Sequence, residues 1–170
     1  TRIPSSAASD VYKRQVKEET DEGKIIDRIK PLSKKIAANK SWVKPEYFYV
    51  DKEQGFGLHL LHEEKDHSLA VFAIAWAPGE GLAPHNHKTW AVVAGIEGQE
   101  HETSYKRIDD GTTDGFADLV KTNEETIYAG DATCCLPEDI HSVWNNGREI
   151  ALSIHCLLYT SDAADDGIRV

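Results

Sequence analysis

The chain has 170 residues, enough for one domain with a sizeable core. Asp and Glu number 29 against 19 Lys and Arg, a formal net charge of −10, which argues against a general nucleic-acid or anionic-membrane binder. No apolar run approaches a membrane span, and no basic-then-apolar leader pattern is visible.

In chain order, residues 1–15 and 156–170 need separate treatment. A coding strand for Asp10-Val11-Tyr12-Lys13-Arg14-Gln15, reversed, complemented and read one frame over, encodes Cys156-Leu157-Leu158-Tyr159-Thr160-Ser161. Residues 5–9 relate to Asp162-Ala163-Ala164-Asp165 in the same way. The two ends resemble one inverted repeat of sequencing-adapter DNA translated on both sides of a fragment, and they are set apart from the fold as a cloning scar would be. The expected organisation is a helical segment with its connector over 16–50 and a barrel over 51–155.

Residues 16–39 are charged and helix-compatible, with Ile25, Ile26, Ile29 and Leu32 at helical spacing. Pro31 is expected to split this segment into two short helices. The Glu18, Glu19, Asp21, Glu22 run reads as a solvated face. Trp42, Pro45, Tyr47 and Phe48 mark a connector that packs aromatics on the barrel. Strands are expected at 58–62, 69–77, 89–96, 102–108, 119–121, 125–128, 133–136, 142–145 and 150–155. A charged turn at 63–66, Pro78-Gly79-Glu80-Gly81 and a polar loop at 109–115 punctuate them. Short strands so spaced indicate an all-β sandwich or barrel.

His85 and His87 stand at i and i+2, which on a strand turns both imidazoles to one face. His141, after Pro137-Glu138-Asp139-Ile140, would arrive from a neighbouring strand. Three neutral nitrogens on one ion leave open positions, and open positions permit chemistry. His59, His62, His67 and His101 lack such a setting and read as surface or satisfied core residues. Cys134 and Cys135 are adjacent, too close to pair readily and not spaced as a zinc knuckle, so they read as sheet filler in a reducing, cytoplasmic setting.

Residues 81–87 with Gly95 and Gly98, and the later stretch 130–141 with Asn145, resemble the two sequence motifs of the cupin superfamily. That resemblance implies a double-stranded β-helix, a jelly-roll barrel, here with short N-terminal helices. The first motif normally carries a ligand Glu separated from its second His by three or four residues, where this chain has Ala91 and Val92. Over 55–155 the chain resembles the cysteine dioxygenase and 3-mercaptopropionate dioxygenase family. The Phe72-Ala73-Ile74-Ala75-Trp76-Ala77-Pro78-Gly79 run, the His-x-His-x-Thr-Trp run ending in Trp90, and Ser153-x-His155 carry it.

The resemblance implies Fe(II) held by His85, His87 and His141, with a small mercapto-acid thiol oxidised by O2 to a sulfinic acid. It implies that Ser153 and His155 orient the substrate or bound oxygen, and that Trp90 lines the pocket. The family's Arg or Gln that holds the substrate carboxylate falls at Gly57 or Leu58 here, which leaves Arg107, Lys106 or His59 as replacements. Its Ser-x-His-x-Tyr element would place Tyr where this chain has Leu157, with Tyr159 two residues too far along, so turnover by this chain is expected to be impaired. A Cys–Tyr cross-link cannot form, because no Cys lies near Ala91 and Val92. The alternatives are a metal-binding cupin that binds or senses a small ligand without turnover, and a cupin reaction at Mn or Ni. A small thiol and O2 are the expected partners, with no nucleic acid and no membrane; the sequence does not decide the oligomeric state.

Overall fold

The structure, a computed structural model, describes residues 19–66, 68–113 and 115–158. The adapter-like residues 1–15 and 159–170, with Tyr159, and His67 lie outside the described residues.

Asp21 starts the only α-helix among the described residues, α1 (Glu22–Ala38), by accepting a hydrogen bond from the Lys24 backbone N–H at 3.1 Å. Ile25, Ile26, Ile29, Ser33 and Ala37 form its buried face. Each of the three isoleucines contributes roughly 1.5–3 kcal/mol by leaving water. The helix continues through Pro31 instead of splitting there. Pro31 and Asp27 are both exposed, so water can satisfy the carbonyl that Pro31 leaves without its N–H donor. Two 3-10 turns, Lys40–Trp42 and Pro45–Phe48, follow, and the Trp42 indole N–H donates to the Ile36 carbonyl at 3.0 Å.

Nine strands succeed them: β1 (Phe56–Glu63), β2 (Ala70–Trp76), β3 (Gly81–His85), β4 (Ala91–Glu97), β5 (Gln99–Arg107), β6 (Leu119–Tyr128), β7 (Ala132–Cys135), β8 (Ile140–Trp144) and β9 (Ala151–Leu157). They form two antiparallel sheets, ordered β1-β2-β9-β4-β7 and β3-β8-β5-β6. Strand alternation gives the first sheet two different faces. Val71, Ala73, Ala75, Val92, Ala94, Ile96, Leu152, Ile154 and Cys156 join the isoleucines of α1 in one apolar cluster. Ala151, Ser153 and His155 alternate with these on β9 and face the barrel interior. Both faces are covered, so every residue from Ala151 to Cys156 is buried. Phe56, Trp76, Val143 and Ala151, with Ile74 and Leu82 against them, fill one part of the interior with apolar side chains.

Three strand readings change. The two short runs expected at 119–121 and 125–128 are one strand, β6, paired along its length with β5. It borders its sheet, and its side chains from Val120 to Glu125 stand in solvent. The stretch before the histidine pair is a strand, β3, despite Pro84. It pairs only with β8, and an edge position tolerates a residue without an N–H donor. β9 runs two residues beyond its expected end, because Cys156 pairs with Val71 and Val92 and its Sγ lies 3.4 Å from Ser33 Oγ under α1. Among the described residues no helix is long and apolar enough to cross a membrane.

Candidate metal centre

β3 and β8 bring His85 and His141 directly opposite one another. His87 arrives differently from the sequence expectation. The strand ends at His85, and His87 lies in the loop that follows, just before Lys88 with its φ of 55°. That left-handed residue turns the chain, so a loop, not strand alternation, aims the second imidazole. The ring centroids stand 5.1 Å (His85–His87), 4.7 Å (His85–His141) and 5.0 Å (His87–His141) apart. One nitrogen from each lies within 4.8 Å of the others.

The protonation pattern fits a cation. His85 Nδ1 lies 2.8 Å from the Ala83 carbonyl and donates to it, which leaves Nε2 as a lone pair. His141 Nδ1 donates to Glu102 Oε1 at 3.1 Å, which likewise leaves its Nε2 free. That Nε2 lies 2.9 Å from His87 Nε2. In the neutral metal-free protein His87 can donate its Nε2–H to that lone pair; with its proton on Nδ1 instead, two lone pairs face one position where a metal would stand between them. Metal–nitrogen bonds of about 2.1 Å at a right angle would set their nitrogens about 3.0 Å apart, against about 3.4 Å at a tetrahedral angle. Burial keeps these two rings in the neutral form that binds metal: desolvation lowers the pKa of His85, and pushes His87 down to about 3 with help from His141 and His85. His85, His87 and His141 therefore form a set that can hold a metal ion.

Glu102, Cys135 and His141 Nδ1 make a second close group. Cys135 Sγ lies 3.6 Å from that Nδ1, so Cys135 does more than fill the sheet. A metal there would need the thiolate, yet burial raises the Cys135 pKa. The group therefore orients His141, in the way a carboxylate beside a ligand histidine fixes its tautomer. Tyr105 and Ser142, whose oxygens are 3.1 Å apart, brace the neighbouring stretch of β8.

Of the other residues singled out in the sequence, Ser153 and His155 are hydrogen-bonded, Oγ to Nε2, at 2.9 Å. Both are buried, and His155 feels the charges of His141 and His85; burial, chiefly, lowers its pKa to about 3. Trp90 belongs to the apolar cluster between α1 and the outer face of the first sheet, which corrects the expectation of a pocket-lining ring. Arg107 is a further correction. It lies at the exposed end of β5, where Nε bonds Asp109 at 2.8 Å and Nη2 donates to the Phe116 carbonyl at 2.8 Å. Lys106 beside it is exposed as well.

His59 also proves unsuited to the binding role. It pairs with Ala73 on the outer, helix-side face, where it meets Tyr47 with ring centroids 5.6 Å apart. Gly57 cannot carry an anchor, since a Cβ there would collide with the Tyr49 carbonyl. Leu58 and Leu60 do face inward, in register with Ile74 and Ser153 and with Phe72 and His155. His62 and His101, outside the triad, pair with Glu64 and Glu124.

Sequence reasoning overlooked Glu100 and Glu102. A Glu-x-Glu pair on a polar strand reads as a solvated edge. Only the flanking of β5 by β6 and β8 shows that one of its faces is enclosed. Asn145 was noticed only as part of a motif. It is fully buried and bonded through its side chain to the Trp76 and Glu149 carbonyls and the Gly147 N–H.

No family model matches the chain. Among solved structures, it is similar to oxalate oxidase in complex with the substrate analogue glycolate, with a TM-score of 0.50 and 14% identity over 70% of this chain and 63% of that one. It is also similar to the cupin domain of an XRE-family transcriptional regulator from Enterobacter cloacae (TM-score 0.45, 17% identity, 63% of this chain and 99% of that one). A conserved protein with a double-stranded β-helix domain from Klebsiella pneumoniae subsp. pneumoniae matches at a TM-score of 0.45 and 20% identity over 68% of this chain and 86% of that one. The fold is the cupin double-stranded β-helix. At these identities the similarities speak to the fold alone. The chain spans 63% of the oxalate oxidase it matches.

Proposed function

We propose that this chain is a non-haem Fe(II) thiol dioxygenase that oxidises a small thiol to a sulfinic acid with O2. The observation that carries the reading is the donor set. Three neutral imidazoles converge, while Ala91 and Val92, buried at the start of β4, offer no carboxylate. Iron bound by His85, His87 and His141 would supply the redox chemistry that joins dioxygen to sulfur. A set of neutral ligands leaves the cation's charge uncompensated, so the site favours an anionic ligand such as a thiolate. The reaction balances without an external reductant: sulfur gives up four electrons and dioxygen takes up four, both oxygens ending on sulfur.

The chain's own groups supply orientation. Glu102 fixes the ring of His141, and Ser153 with His155 offers a buried hydrogen-bonding pair in the electrostatic field of the triad. The inward residues of β1 are Leu58 and Leu60, with Phe72 and Ile74 in register beside them. Leu58 and Leu60 are exposed, so this wall is apolar but open to water, and none of the four side chains can pair with the carboxylate of the mercapto-acid implied by the resemblance.

Anaerobic Fe(II) reconstitution followed by oxygen uptake against cysteine, cysteamine, 3-mercaptopropionate and a simple alkyl thiol tests both points. Thiol-dependent uptake with sulfinate formation is expected, with no advantage for the thiols that carry a carboxylate. No uptake with any thiol, in the chain and in Leu157→Tyr alike, rejects the reading. The lack of a carboxylate anchor also favours a second reading, a metal-binding cupin that binds a small ligand without turnover. It would show ligand-dependent thermal stabilisation and no oxygen consumption.

A further inference from the structure

Behind the histidine triad stands a second set of donors. Glu102 of β5, Cys135 of β7 and His141 of β8 are all buried, and one ligand-type atom from each lies within 4.8 Å of the others. His141 Nδ1 is 3.1 Å from Glu102 Oε1 and 3.6 Å from Cys135 Sγ, and Sγ is 4.0 Å from Oε1. Around a tetrahedral ion bound at about 2.3 Å to sulfur and about 2.1 Å to nitrogen and oxygen, the N–S and S–O separations would be about 3.6 Å and the N–O separation about 3.4 Å. Small side-chain shifts close the remaining differences. The other two thiols have no such company: Cys134 Sγ faces Lys30 Nζ at 4.0 Å, and Cys156 Sγ faces Ser33 Oγ at 3.4 Å.

We propose that Glu102, Cys135 and His141 Nδ1 form a site for a thiophilic divalent cation such as Zn2+, and that filling it disables the triad. While no cation is present, burial keeps Cys135 as the thiol and the group orients His141. A cation that binds sulfur strongly changes this, because coordination removes a thiol's proton outright. Bonds form from the ion to Cys135 Sγ, Glu102 Oε1 and His141 Nδ1. The thiol proton leaves to solvent, the Nδ1 proton of His141 passes to Nε2, and nothing is oxidised or reduced. One thiolate and one carboxylate offset the charge of the ion, so the buried group is neutral as a whole. The triad has neither a thiolate nor a carboxylate to offer, so a soft cation prefers the second set.

The two sites exclude one another because they share one ring. A neutral imidazole has a single lone pair. With Nδ1 on the ion, His141 carries its proton on Nε2, directed at His87 Nε2 2.9 Å away, and the triad loses its third donor. Glu102 gives up, at the same time, the hydrogen bond that fixes the ring for the triad. A thiophilic cation would therefore inhibit any chemistry at the triad from behind, without occupying its open positions. The second site depends on neither iron nor a thiol substrate, so it does not rest on the thiol dioxygenase reading.

The test is titration of the full metal-free chain with Cd2+, a spectroscopic stand-in for Zn2+, under anaerobic conditions with a phosphine reductant. The readouts are the ultraviolet sulfur-to-cadmium charge-transfer band and the number of ions bound. The band is expected to saturate at one Cd2+ per chain, to survive in His87→Ala, and to vanish in Cys135→Ser. No band in the wild-type chain, a band that persists in Cys135→Ser, its loss in His87→Ala, or two Cd2+ bound per chain overturns the proposal. Should Cys135→Ser not fold, Glu102→Gln in the His87→Ala background decides: a fall in Cd2+ affinity of about tenfold or more supports the site, and an unchanged affinity rejects it. Because no iron and no thiol substrate enter the titration, its failure leaves the oxygen-uptake result untouched, and the reverse holds equally.

Discussion

Single residues in this site act mostly by fixing other residues. Glu102 shows the pattern: it touches no open position, yet its contact with His141 Nδ1 decides that Nε2 faces the triad. Replacing it by Gln keeps the shape and removes the charge. Metal affinity of Glu102→Gln should fall about 10- to 100-fold, the usual cost of losing such a carboxylate partner. Competitive titration with a chromogenic chelator reads this directly, and an unchanged affinity would show that His141 needs no such support. Arg107 and His59 make the opposite case. Both were attractive as substrate anchors on charge alone, but one is bound into the loop after β5 and the other packs on the outer face. Arg107→Ala and His59→Ala should leave the KM for every accepted thiol within about twofold of wild type, well under the tenfold that roughly 1.4 kcal/mol of lost binding gives. A large rise in KM for either would return it to the site.

At the scale of elements, what could be read in advance depended on whether a segment's character is local. α1 was legible because Ile25, Ile26 and Ile29 repeat at helical spacing, and β2 and β9 because apolar runs of their length suit a strand covered on both faces. The histidine triad was legible from motif spacing. β6 was not legible as one strand, since Lys121 to Glu125 has a loop's composition and holds its conformation only by pairing with β5. The continuity of α1 through Pro31 was also hidden, because it depends on which side of the helix meets the sheet. That last point has a measurable consequence. Pro costs about 3 kcal/mol relative to Ala inside a helix, and its stiffening of the unfolded chain returns about 0.4–1 kcal/mol. With no packing at this exposed position to lose, Pro31→Ala should raise stability by roughly 2–2.6 kcal/mol in urea denaturation. A destabilised variant would mean that the proline ring holds a contact beyond the helix.

For the molecule as a whole, enclosing polar groups between two sheets makes stability depend on pH in two opposed ways. His155 has a pKa of 6.5 when free and about 3 in the barrel, so between these values the unfolded chain binds a proton that the folded chain refuses. Stability from this group is full above 6.5 and declines as pH falls toward 3. His87, also held near 3, and His85, lowered in the same direction, add to that acid limb in the metal-free protein. Glu100 acts in reverse. Its pKa rises from 4.5 to about 7, so over that interval the folded chain keeps a proton that the unfolded chain has released. Its contribution is full below 4.5 and lost as pH climbs through 7. Two histidines outweigh one glutamate where the intervals overlap, so the stability of the metal-free chain should rise with pH to about 7, less steeply than the histidines alone would give. Glu100→Gln cannot ionise, so it should keep the histidine limb and gain stability more steeply than wild type between about pH 5 and 7. Urea midpoints at intervals from about pH 4 to 9, with chelator present, measure the slope in both proteins. If the variant kept the wild-type slope between about pH 5 and 7, the contribution opposing the histidines would have to come from some group other than Glu100.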